Sequence, residues 1–108
     1  MSDNIHAGHR DRLRKKFQKN GAEGLELHEL YELLLYYCIP RKDTNDLAHQ
    51  LVNKFPTVRD LLEAGEEELC SFKGISENGA VLIRLISALS RSYYKDLASE
   101  ETAGGLDT

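Results

Sequence analysis

The chain has 108 residues, with 14 Lys and Arg against 18 Asp and Glu, and a formal charge of -4 at pH 7. That length holds one small domain around one core, and an overall acidic protein is a poor general ligand for nucleic acid because like charges repel the phosphate backbone. The longest apolar run, residues 33–39, is far short of the roughly 20 residues a membrane span needs, and the first twelve residues contain no apolar stretch of a signal peptide.

The charge is unevenly placed. Residues 1–20 carry Arg10, Arg12, Arg14, Lys15, Lys16 and Lys19 against Asp3 and Asp11, a net +4, which leaves -8 on the remainder. Residues 9–20 predict a first helix, with Leu13 and Phe17 at i, i+4 on its buried side and Gly21 as its stop. Its apolar face is narrow, so it is expected to pack as an arm on the main body. Arg10, Arg14 and Lys15 form a basic arm that could dock on a phosphate backbone; a solvated helix face balancing the acidic remainder explains the same charges.

After a loop with two glycines, residues 27–38 predict the central helix. Leu30, Leu33, Leu34 and Tyr37 follow the i, i+3, i+4, i+7 pattern, and Leu35, Tyr36 and Cys38 widen the stripe until most sides are apolar. Pro40 ends it, because the residue before a proline is pushed out of the helical region. The connector Pro40-Arg41-Lys42-Asp43-Thr44-Asn45 combines a turn, two positive charges and capping residues, and Asp43 or Thr44 can cap the next helix, residues 45–55. That helix buries Leu47, Ala48, Leu51, Val52 and Phe55. Arg41, Lys42, Thr44 and Asn45 are therefore candidate phosphate contacts, with a plain capped turn as the alternative. A short helix follows, with Val58, Leu61 and Leu62 facing inward and Gly65 stopping it. Glu66, Glu67 and Glu68 then open the next one, where acids favour a helix start; their charge would have to point away from any bound backbone.

Residues 69–83, LCSFKGISENGAVLI, read as helix, tight hairpin, helix. Leu69 and Phe72 lie three apart on the first helix, Gly74 supplies a conformation other residues reach only with strain, Ile75 points between the helices, and Ser76 caps the second, which carries Ala80 and Ile83. The hairpin exposes backbone N–H groups at a helix N-terminus, an arrangement that suits a phosphate. The segment resembles the helix-hairpin-helix motif, which binds the nucleic-acid backbone without reading sequence; Ser76 stands where that pattern has a second glycine. Lys73, Gly74, Ile75, Ser76 and Asn78 are the phosphate contacts this resemblance implies, and an ordinary helix-turn-helix corner with a glycine cap is the competing reading.

The last helix is expected over residues 77–96, with Leu82, Ile86, Leu89 and Tyr93 at helical spacing, before a polar tail over 98–108 that reads as disordered. A shift of 32 residues places Leu30 on Leu62, Cys38 on Cys70, Ala48 on Ala80 and Leu51 on Ile83. This reads as a degenerate duplicate of the hairpin unit or as coincidence between similar helices. Cys38 and Cys70 are expected to be buried free thiols in a reducing, cytoplasmic setting. The four histidines form no H-x-H pair, no ligand set for a metal accompanies His6 and His9, and no nucleophile has a nearby base. No metal, no cofactor and no catalytic residue are therefore expected, and the chain does not read as a free-standing enzyme.

Taken together, GHRDRLRKKF (residues 8–17), HELYELLLYYCIPRKDTNDLAHQLVNKF (residues 28–55) and FKGISENGAVLI (residues 72–83) resemble the N-terminal domain of the RadC family of DNA repair proteins, also designated UPF0758. The most specific part is IPRKDTN. The resemblance implies an all-α, RuvA domain 2-like bundle of five to six helices over residues 9–97, after a flexible segment at 1–8, with one helix-hairpin-helix and a degenerate second. In that family the helical domain precedes a metal-binding domain of the JAB/MPN type, which residues 1–108 do not contain. Two functions follow from it: non-sequence-specific DNA binding through the hairpin, or a protein-interaction module that positions a JAB/MPN-type domain or a repair or replication partner.

Overall fold

The computed structural model describes residues 2–39 and 44–107, with side chains at 8–39 and 44–100. Six helices follow one another: α1 (Ser2–Asn20), α2 (Leu27–Cys38), α3 (Asn45–Lys54), α4 (Val58–Glu63), α5 (Glu66–Cys70) and α6 (Glu77–Asp107), with a 3-10 turn at Ala22–Gly24 between the first two. No strand occurs among the described residues. The fold is all-α, and α2 packs chiefly on α3 while α5 packs on α6.

Local chemistry sets the boundaries. Gly21, at φ +70°, ends α1 with its N–H donating to the Phe17 carbonyl at 2.7 Å; this is a conformation where a side chain would be strained. Glu29 accepts from the Glu26 N–H at 3.0 Å and so satisfies an orphan amide at the start of α2. Thr57 caps α4 by accepting from the Asp60 N–H at 3.1 Å. Two helices run further than the sequence pattern predicts: α1 begins at Ser2 and not near His9, and α6 continues to Asp107 through the stretch expected to be a tail. Neither extension contains a proline, and Ala98, Glu100 and Glu101 are good helix formers. At about 1.5 Å per residue α6 is a rod of roughly 46 Å. It raises the radius of gyration to 16.5 Å, against roughly 13 Å for a compact chain of this length.

The core joins Tyr31, Leu35 and Ile39 of the α2 side to Leu47, Ala48 and Leu51 of α3 and to Leu61, Leu69, Ala80 and Ile83 from the second half. The buried face of α2 is therefore the Tyr31–Leu35 line, whereas Tyr37 of the expected stripe is 64% exposed. The reason lies in the phenol: Tyr31 Oη reaches the carbonyls of Phe55 (2.8 Å) and Thr57 (2.9 Å), tying α2 to the α3–α4 corner. Burial, with the Asp60 charge, pushes its pKa up to about 12. Three further expectations are corrected. Val58 and Phe17 are exposed, because the groove they border is open, and Cys70 is exposed at the end of the short α5 while Cys38 is half-buried. Burial raises the Cys38 thiol pKa.

Candidate nucleic-acid interface

The hairpin between α5 and α6 is built by three residues. Gly74 has φ +105°, and a Cβ there would stand 3.4 Å from Leu47 Cδ2 in a conformation that L side chains rarely adopt. Ile75 is buried, its N–H donating to the Phe72 carbonyl at 3.1 Å to close the turn. Ser76 caps α6: its Oγ accepts from the Gly79 N–H at 3.2 Å and its carbonyl from the Ala80 N–H at 3.0 Å. The first-turn amides of Glu77 and Asn78 have no carbonyl within the helix to receive them. Beside them stands Lys73, which is exposed and has no ion-pair partner among the described residues.

Gly79 was not a sequence candidate. A Cβ on it would lie 3.3 Å from Cys38 Cβ, so its bareness lets α6 approach α2 closely, together with the fully buried Ala80. A glycine within the first turn of a helix, where it costs about 1 kcal/mol against alanine, is the signal that could have found it.

Facing the hairpin is the N-terminus of α3. Thr44, Lys73 and Gly74 share a crevice of about 240 Å³ with Ile39, Asp46, Leu47 and Gln50, so parts of the two separately predicted phosphate contacts stand at one place. Asn45 points the other way, its Nδ2 donating to Glu32 Oε2 at 3.3 Å. Arg41 and Lys42 lie outside the described residues. Asp46 and Gln50, which were not sequence candidates, line the same crevice.

The basic arm is largely committed within the molecule. Arg10 is 7% exposed; it donates to the Ile39 carbonyl at 3.1 Å and its guanidinium carbon lies 4.4 Å from the centre of the Tyr36 ring. Arg14 (2.9 Å) and Lys15 (3.1 Å) both pair with Asp11. Lys15, and then Arg14, hold the Asp11 carboxyl below its ordinary range. Lys16 reaches Glu29 at 3.3 Å, and the Glu26 amide with Lys16 lowers the pKa of that carboxyl too. His9 Nε2 lies 2.8 Å from Glu32 Oε1, so the buried Glu32 joins α1 to the start of α3 through His9 and Asn45. Among the described residues no three His, Cys, Asp or Glu side chains group as metal ligands would, and no helix is long and apolar enough to cross a membrane.

These features define a small all-helical domain with two packed helical pairs, joined near a capped glycine hairpin. The family model described as UPF0758 N-terminal matches residues 6–81, a span that holds the hairpin, the crevice and most of the arm. The UPF0758 protein FN0909 of Fusobacterium nucleatum subsp. nucleatum is 41% identical over 96 residues, covering 89% of this chain and 41% of the relative. The chain belongs to the UPF0758 family, as its N-terminal domain, in keeping with the RadC resemblance. It spans about two fifths of the length of that curated relative. No solved structure matches it.

Proposed function

We propose that this domain is a non-catalytic DNA-binding module that grips the phosphate backbone through the α5–α6 hairpin and reads no base sequence along a duplex. One observation carries the reading: a capped helix N-terminus follows a glycine at φ +105° and stands beside Lys73, a cation without an internal partner among the described residues. Amides at a helix start and an adjacent ammonium are what a phosphodiester requires. The acids at the start of α5 stand at the end of that helix away from the hairpin, with Glu68 3.9 Å from Lys54. A reducing, cytoplasmic location fits DNA as the partner and two cysteines without a disulfide.

The test is fluorescence anisotropy of the purified chain with duplex DNA at two salt concentrations. Binding should weaken with salt, and Lys73→Glu should abolish most of it while the helical circular dichroism stays unchanged. No binding at low salt contradicts the reading.

A protein-docking function is favoured by a different observation. Phe17, Leu30, Leu33, Leu34, Tyr37, Val58 and Ile86 border an apolar groove of about 400 Å³, and on α6 Val81, Leu85, Leu89 and Tyr93 are all at least half exposed. Such a surface is a common mark of a polypeptide partner, whether a JAB/MPN-type domain or a repair or replication protein. Phe17→Ser and Leu89→Ser should abolish partner capture in that case, and Lys73→Glu should leave it intact.

A further inference from the structure

We infer that the exposed row of α6 is covered by a second copy of this chain, the two helices pairing antiparallel about a twofold axis at Leu89. The inference deepens the docking reading above, on which it rests for the exposed face of α6, and is independent of the DNA reading. Val81, Leu85, Leu89, Tyr93 and Leu97 recur at i+4 and so form one ridge along the helix. Val81 is 50% exposed, Leu85 52%, Leu89 62% and Tyr93 60%. An apolar face stabilises a helix chiefly by packing, so this ridge contributes once another element covers it.

Symmetry, charge and area name the occupant. The ridge is symmetric about Leu89, so a twofold axis there sets Val81 against Leu97, Leu85 against Tyr93 and Leu89 against its own copy, the self-complementarity an isologous dimer needs. The charges agree with that register. Antiparallel pairing sets Arg84 opposite Tyr94, Arg91 opposite Ser87 and Asp96 opposite Leu82, whereas a parallel pair in register would oppose each charge to itself. Arg84 is moreover turned to the Ala64 carbonyl, which it reaches at 3.3 Å, and Arg91 lines the cleft beside α4, so neither cation interrupts the ridge. Ala88 and Ser92 flank the ridge and are small enough to admit a partner's side chains. With them the row offers on the order of 500 Å² per copy, hence about 1,000 Å² in a pair, the lower bound of a specific interface. The dimer is therefore weak and reversible.

The test is sedimentation equilibrium of the whole chain, without DNA, from about 5 to about 500 μM, a range suited to an interface this small. The mass should rise with concentration from 12.2 kDa toward twice that value. Leu89→Glu, which brings two carboxylates together at the axis, should hold the chain at monomer mass throughout, with the helical circular dichroism unchanged because the side chain is exposed. Tyr94→Ser removes an exposed ring that lies off the ridge and should leave association as in the native chain. In a Cys70→Ser background, Leu89→Cys should give a disulfide-linked pair in a glutathione redox buffer and Val81→Cys should not, because only position 89 meets its own copy. Monomer mass for the native chain at every concentration overturns the pairing and leaves the docking reading standing for a different polypeptide. Association that survives Leu89→Glu, or that Tyr94→Ser removes equally, overturns the ridge as the contact, and a Val81→Cys variant that links as readily as Leu89→Cys overturns the antiparallel register.

Discussion

The N-terminal arm and the α5–α6 hairpin invert what their charges suggest. The arm holds six of the fourteen basic residues, and its Arg10, Arg14, Lys15 and Lys16 are taken up by a carbonyl, an aromatic ring and the carboxylates of Asp11 and Glu29. The hairpin holds one cation, Lys73, with no partner among the described residues. A count of charge along a chain is thus a poor measure of the charge a surface offers, because ion pairing within the fold consumes it first. The arm works as a fastener for α1, whereas the cation of the hairpin stays exposed.

This contrast can be broken in several ways, the largest being at Arg10. Arg10→Ala removes a charge-assisted hydrogen bond and a cation–π contact in a buried setting, and should lower stability in urea unfolding by about 2–3 kcal/mol. A loss of DNA affinity without that destabilisation would move Arg10 from the fastener to the interface. Gly74→Ala forces a side chain into φ +105° and should cost about 1–2 kcal/mol by the same measurement; an unchanged midpoint would mean that the turn relaxes. Lys73→Glu should leave stability alone and lower duplex affinity about tenfold, or roughly 1.4 kcal/mol.

Smaller effects sharpen the same contrast. Folding holds the Glu29 carboxyl below its ordinary 4.5, so its contribution is fully present above that pH and fades as the pH falls through the lower, folded value. Glu29→Gln should therefore cost about 0.5–1 kcal/mol at pH 7 and progressively less as the pH is lowered below 4.5, as read from urea midpoints across that range. Arg14→Ala and Lys15→Ala, whose ion pairs are exposed, should each change stability by less than about 0.5 kcal/mol and DNA affinity by less than about twofold.

Much of this was legible in the sequence, and the remainder fails for identifiable reasons. The helices from Leu27 to Lys54, the stop at Gly21 and the hairpin of Gly74, Ile75 and Ser76 all follow from local chemistry, since periodicity, capping and positive φ act within a few residues. The buried face of α2 did not. Its sequence is apolar on most sides; Leu33 and Leu35 of the expected stripe are buried, but the choice of Tyr31 over Tyr37 is made by two carbonyls more than twenty residues away. The same holds for Arg10 under Tyr36 and Ile39, and for Asp46 and Gln50, which become a crevice wall only because α3 folds back against the hairpin. The lengths of α1 and α6 exceeded expectation because a polar segment without proline gives no signal of where a helix should end.

The most direct measurement is the salt dependence of duplex binding for the native chain, Lys73→Gln and the Arg14→Gln, Lys15→Gln double variant. The account predicts that Lys73→Gln lowers the slope of log affinity against log salt by about one, while the double variant leaves it unchanged. A native slope for Lys73→Gln together with a reduced slope for the double variant would place the DNA on the arm and contradict the account.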